Sequence, residues 1–177
     1  MKKHDILFEG RHLRVMQAGT WEYVQRPNIS GIVVIVPVTD DNEAVLVEQY
    51  RPAVEANVIE WPAGLAGDVD PGEALMDAAQ RELVEETGYS ALTMVHVIDG
   101  PPSAGLSDEF VDFFTAHGLV KKNAGGGDES EEITVHNVPV NELAGWLREQ
   151  RKRGVLIDPK VYTGLYLLEH PEAAHSI

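Results

Sequence analysis

The sequence has no cysteine and is short of positive charge: 14 Lys and Arg stand against 29 Asp and Glu in 177 residues, for a formal net charge of −15. Without cysteine there is no disulfide, no zinc ribbon and no thiol nucleophile. The shortage of Lys and Arg argues against a nucleic-acid partner, because binding through phosphates requires a surplus of them. It argues equally against an anionic membrane surface. Long hydrophobic runs are missing as well. No stretch of about 18 apolar residues is present, so no transmembrane helix is expected. Met1-Lys2-Lys3-His4 is not followed by the apolar core of a signal peptide, which makes the cytoplasm the expected location.

What is present is ordinary for a globular protein: 44% apolar and 24% charged residues. The length suits one domain, since domains cluster at about 100–200 residues. If a chain this acidic acts on a phosphate compound, the repulsion must be neutralised, and a divalent cation is the usual means.

The first half of the chain reads as strands. Residues 12–17 and 21–25 alternate, residues 31–38 form a continuous β-branched run suited to a buried strand, and residues 44–50 and 58–61 follow. One helix then stands out over residues 71–87. Asp70 is its expected cap, Pro71 its first residue, Glu73 the partner in a capping box, and Gly88 its left-handed stop. Strands are expected again at residues 93–98, 110–116 and 133–138. Asn141 is expected to cap a helix running to residue 153, and Asp158-Pro159 to open a last helix through residue 168. Strands flanked by helices around one core indicate an α/β sandwich with a mixed sheet.

On the middle helix Glu82, Glu85 and Glu86 occupy positions i, i+3 and i+4, so their carboxylates share one face. Like charges at this spacing cost about 0.2–0.5 kcal/mol per pair, and the helix dipole disfavours anions in a last turn. Helix propensity does not explain the placement, whereas a hard cation such as Mg²⁺ would convert the repulsion into binding. Arg81 and Glu73 are spaced to pair and brace the helix against the loop before it. The seven histidines are scattered without ligand spacing.

The segment 67–89 carries a longer pattern. Gly67, Glu73, Arg81, Glu82, Leu83, Glu85, Glu86 and Gly88 match the Nudix box, with Tyr89 where an aliphatic residue is usual. The chain resembles a Nudix hydrolase, which implies an α/β/α sandwich. A short N-terminal β segment, residues 1–30, is expected ahead of a Nudix domain over residues 31–177. In related sequences the box glycine ends a Pro-Ala-Gly triplet. Here Pro62-Ala63-Gly64 stands earlier and Gly67 fits the spacing, so either Ala63 or Ala66 would offer a carbonyl to the metal.

Residues 47–52, 59–64, 102–109, 127–132 and 158–168 resemble the ADP-ribose (ADP-sugar) pyrophosphatase branch of that superfamily. The resemblance implies Glu82, Glu86 and Glu85 as ligands of Mg²⁺ or Mn²⁺. It implies a glutamate from the acidic loop as base or further ligand, with Glu129 favoured as base and Glu131 as ligand. Pyrophosphate cleavage fits this set, because metal ions neutralise the leaving phosphate and acidify water while a carboxylate takes the proton. Gly125, Gly126 and Gly127 would give that loop hinge freedom.

Arg51 is a candidate for gripping a phosphate bidentately. Trp21 and Glu22 stand where the family presents an aromatic ring and an acid to the base, and a large flat ring suits stacking. A homodimer is implied because the family's N-terminal segment often contributes to the partner's site. The leading expectation is Mg²⁺-dependent hydrolysis of ADP-ribose and related nucleotide sugars. A Nudix hydrolase of GDP-mannose or nucleoside triphosphates, and a non-catalytic nucleotide-sugar sensor, are the alternatives.

Overall fold

The computed structural model describes residues 4–68, 70–127 and 132–173; Glu129 and Glu131 lie outside them. Strands β1 (His4–Glu9), β2 (Arg14–Ala18) and β3 (Trp21–Gln25) form an antiparallel sheet at the N-terminus. Next along the chain come β4 (Gly31–Pro37), β5 (Glu43–Arg51), β6 (Ala56–Glu60) and β7 (Ala63–Ala66), then the helix α1 (Leu75–Thr87). The chain continues through β8 (Tyr89–Gly100), β9 (Val111–Lys121), β10 (Ile133–Pro139), α2 (Leu143–Lys152), β11 (Leu156–Ile157) and α3 (Pro159–Glu169).

Two four-stranded mixed sheets result, in the orders β7-β4-β9-β8 and β10-β5-β6-β11. The parallel pairs are β4 with β9 and β6 with β11; all others are antiparallel. Strand β4 shows how the layers assemble. Its side chains alternate across the sheet, so Val33 and Ile35 pack with Ala78, Ala79 and Leu83 of α1. Val34 and Val36 point the other way, into a larger core with Leu46, Ile59, Trp61, Leu143, Leu147 and Val161. Burial on both faces explains why this strand reads as an unbroken apolar run. The architecture is an α/β/α sandwich, with α1 on one side and α2 and α3 on the other. Trp61 locks α3 in place: its Nε1 donates to Val161 O at 3.3 Å, and Gly164 leaves the room its ring needs.

The helix beside the site begins later than its sequence suggests. Gly72 has φ +126°, a value no α-helix tolerates, and Glu73 N donates to Asp70 O in a turn. The helix therefore starts at Leu75, with Ala74 as a cap residue that makes no side-chain bond. Glu73 does not close a capping box. Its carboxylate is taken by Arg81 instead. At α3 the expected cap is found, Asp158 accepting from Lys160 N at 2.7 Å. Three strands leave no readable sequence pattern. All six residues of β1 are exposed, β7 is built of Ala, Gly and Leu, and β11 has two residues.

Candidate functional site

Strand β7 and helix α1 lie side by side, and Ala63, Gly64 and Leu65 each engage a residue of the helix. Ala63 N donates to Glu86 Oε2 at 3.1 Å. Gly64 faces Glu82 so closely that a Cβ there would fall 2.0 Å from the carboxyl carbon. Leu65 O accepts from Arg81 Nη2 at 2.9 Å. Gly67, at φ +85°, donates its N–H to Glu73 Oε2 at 3.4 Å. The two glycines thus do different work. Gly64 makes room for a carboxylate, and Gly67 turns the chain with a backbone that side chains rarely adopt. The carbonyl of Ala66 is occupied by Ser30 N at 2.8 Å, while Ala63 is the residue set against Glu86.

Arg81 ties the carboxylates together. Its Nε donates to Glu73 Oε1 at 2.9 Å and its Nη2 to Glu73 Oε2 at 3.1 Å, a bidentate pair. Its Nη1 reaches Glu82 Oε1 at 2.7 Å and Glu85 Oε2 at 3.0 Å. Four acceptor groups around one guanidinium hold its proton more firmly than usual, the Glu73 bond foremost. The same bond draws the Glu73 carboxyl below its ordinary range. Glu82 behaves oppositely. Burial pushes its carboxyl up to about 7 against the opposing pull of Arg81, and Glu85 adds to the rise. Glu86 is 4% exposed and Glu85 lies half open.

Among the described residues no three His, Asp or Glu side chains already form a metal cage. The donor set nonetheless fits a hard divalent cation. It offers carboxylate oxygens alone, on one helix face, with the Glu82 carboxylate seated against the Gly64 backbone in the space a side chain would take. A buried carboxylate that resists losing its proton is also the kind of group a cation relieves.

The other sequence candidates have their own surroundings. Arg51, at the end of β5, pairs with Glu60 Oε2 at 2.7 Å and keeps 42% of its side chain exposed. Burial raises the Glu60 carboxyl, with Arg51 opposing. Trp21 is 60% exposed and lines an open cleft of about 450 Å³ with Tyr23, Ser107, Asp108 and Phe110. Glu22, its neighbour on β3, is exposed. The loop after β8 is fastened to β3, since Val24 N donates to Leu106 O at 2.7 Å and Gln25 Nε2 to Asp108 Oδ2 at 2.7 Å.

A second cleft, of about 280 Å³, is lined by Arg11, His12, Arg26 and Asn28 together with Leu65 and Asp68. Two arginines therefore stand beside the strand that carries the site, Arg26 paired with Glu109 Oε1 at 3.2 Å. Arg11 stands in a turn and Arg26 just after β3, so no spacing rule links them.

Comparison with known proteins gives a consistent picture. A family model described as NUDIX domain matches residues 30–162. A methanol dehydrogenase activator of Bacillus methanolicus is 33% identical, over 97% of this chain and 92% of its own length. An ADP-ribose pyrophosphatase of Bacillus subtilis is 33% identical, over 78% of this chain and 72% of its own. A crystal structure of an ADP compounds hydrolase superposes with a TM-score of 0.73 at 21% identity, covering 95% of this chain and 90% of that one.

Proposed function

The chain belongs to the Nudix hydrolases, and from that premise we propose that it is a Mg²⁺-dependent pyrophosphatase of ADP-ribose and related nucleoside diphosphate sugars. The observation that carries the reading is the fit of β7 against α1. It sets Glu82 into the notch at Gly64, Glu86 on Ala63, and Glu85 beside both on the same helix face.

In this reading Glu82 and Glu86, with Glu85 and the Ala63 carbonyl, hold the cation. The bound metal neutralises charge on the pyrophosphate and lowers the pKa of the attacking water. Arg81 fixes the carboxylates by bracing them against Glu73 and β7. Glu129 takes the proton from water, and Glu131 adds a ligand. Arg51 presents its open side to a phosphate, held in direction by Glu60. Trp21 stacks on the base with Glu22 beside it, in the cleft that Tyr23 and Phe110 complete. Arg11 lines the neighbouring cleft beside Arg26, which is paired with Glu109 Oε1 at 3.2 Å, and offsets part of the repulsion that a chain of net charge −15 exerts on an anion. Exposed Ile6, Leu7 and Phe8 on β1 support a homodimer.

The deciding experiment is turnover with Mg²⁺ on ADP-ribose, other nucleotide sugars including GDP-mannose, dinucleoside polyphosphates and nucleoside triphosphates. Preferential release of AMP and ribose 5-phosphate from ADP-ribose is expected. Turnover confined to triphosphates, or none at all, overturns the reading.

A second reading rests on the relative that matches almost the whole chain, an activator of a methanol dehydrogenase. Here the hydrolase acts in the service of a dehydrogenase. Dehydrogenase turnover measured with and without this protein tests it, and a rate that does not change removes it.

A further inference from the structure

The last turn of α1 carries Glu85 and Glu86, yet it contains no basic residue of its own to offset the negative end of the helix dipole. The chain supplies that from elsewhere. Val84 O accepts from Gly88 N at 2.9 Å in an ordinary left-handed stop. Glu85 O then accepts from Gly127 N at 3.1 Å and Glu86 O from Gly126 N at 2.9 Å. Thr87 O accepts from Lys121 Nζ at 2.7 Å. Gly88 O accepts from Lys122 N at 2.7 Å and Asn123 N at 3.3 Å. Every carbonyl from residue 84 to residue 88 is thereby satisfied, four of the five by residues 121–127. Helix ends without such partners fray.

The fit is between bare backbones. A Cβ on Gly125 would lie 2.4 Å from Thr87 C, and one on Gly88 2.3 Å from Asn123 O. Asn123 holds the turn, its Oδ1 accepting from Gly125 N at 2.8 Å. The glycines expected to act as a hinge are packed against the helix end. Gly126 O also accepts from Ile133 N at 3.4 Å, so the chain is pinned to itself on either side of residues 128–131.

We propose that residues 121–127 are a positioning strap for the catalytic carboxylates, holding the last turn of α1 so that Glu85 and Glu86 stay in register with Glu82. The proposal rests on the metal role given to those carboxylates above. Glu82 is fixed from the other end, by Arg81 and the Gly64 notch. Glu85 is also tied to Arg81 Nη1 and Glu86 to Ala63 N, so what the strap fixes is the backbone of the last turn beneath those two carboxylates, and loosening it shifts that backbone relative to Glu82. Gly125, Asn123 and Lys121 act through the helix and are positioning residues.

The test is Gly125→Ala, with Asn123→Ala as a milder variant, each compared with wild type at a temperature where all are folded. Free Mn²⁺ is titrated by electron paramagnetic resonance without substrate, and kcat and KM are measured on ADP-ribose. The added Cβ would stand 2.4 Å from Thr87 C, so the two backbones must part until that contact exceeds 3.4 Å. A displacement of about 1 Å costs roughly 100-fold in rate. Expected for Gly125→Ala are a kcat lower by about that factor, a KM within about twofold, and weaker Mn²⁺ binding. Asn123→Ala moves the same quantities less; should Gly125→Ala fail to fold, it decides alone. Wild-type Mn²⁺ affinity and kcat in both variants, with only the melting temperature lowered, overturns the proposal. So does absence of Mn²⁺ binding in wild type. A wild type that binds Mn²⁺ but leaves ADP-ribose uncleaved sinks the substrate assignment alone, and the Mn²⁺ arm still decides the strap.

Discussion

Gly64 on β7 and Glu82 on α1 occupy one another's space: the position a Cβ would take at residue 64 falls 2.0 Å from the Glu82 carboxyl carbon and 2.0 Å from its Oε1. The carboxylate lies where any other residue would put a side chain. Gly64→Ala must therefore expel Glu82 from the notch or part the strand from the helix. Overpacking of this kind costs about 1–3 kcal/mol. Expected is a folded protein whose divalent-cation affinity falls, with a rate lower by about 100-fold. Calorimetric cation titration beside circular dichroism checks it; unchanged affinity would mean that Glu82 does not ligate from the notch.

The raised Glu82 carboxyl makes a prediction with a definite sign. Its folded pKa, about 7, exceeds the ordinary 4.5 of an unfolded chain. Between those values the folded protein binds more protons than the unfolded one, so this group's contribution to stability declines as pH rises from 4.5 to about 7. Glu82→Gln removes the titration. In chelator, the melting temperature of Glu82→Gln relative to wild type should climb between about pH 5 and pH 8. Added Mg²⁺ competes with the proton, so its stabilisation of wild type should be larger at the higher pH and weaken in the variant. A difference between the two proteins that is flat with pH would refute the assignment.

The shared face of the three glutamates was legible from spacing, because a helix repeats every 3.6 residues, and the box around them from its resemblance to the Nudix pattern. Strand β4 was legible because burial on both faces demands apolar residues throughout. The start of α1 was not, since Asp70-Pro71-Gly72-Glu73 satisfies the rules for a capped helix until Gly72 takes φ +126° and Arg81 claims Glu73. The choice between Gly64 and Gly67 was open because spacing records one glycine, whereas the contacts use both for different reasons. Arg11 and Arg26 were invisible because only the folding of the N-terminal sheet brings them to one cleft.

The loop glutamates separate by what each substitution leaves intact. A general base contributes about 10²- to 10⁴-fold to rate, so with Glu129 in that proposed role Glu129→Gln should lower kcat by that order while cation binding stays. As a ligand, Glu131 should weaken cation binding when changed to Gln and recover part of its rate at higher Mg²⁺. Steady-state kinetics across a Mg²⁺ series distinguishes them. Full activity in both variants would remove the acidic loop from the mechanism.

Trp21 offers the cleanest separation of binding from stability. Its side chain is 60% exposed, so truncation to Ala should change stability by no more than about 0.5 kcal/mol. Stacking of a base on an aromatic ring is worth about 1–3 kcal/mol, which corresponds to roughly 5- to 150-fold in KM for ADP-ribose. The rate at saturation should hold, because the ring lines the cleft with Tyr23 and Phe110 and is not one of the residues proposed to hold the metal. Trp21→Phe should recover part of the loss, since a smaller ring still stacks. The fastening of Val24 to Leu106 and Gln25 to Asp108 makes the effect specific to the ring, because those bonds hold β3 against the loop whatever stands at residue 21. A KM unchanged in Trp21→Ala would place the base elsewhere. A fall in kcat with KM unchanged would assign Trp21 to the geometry of the reacting group.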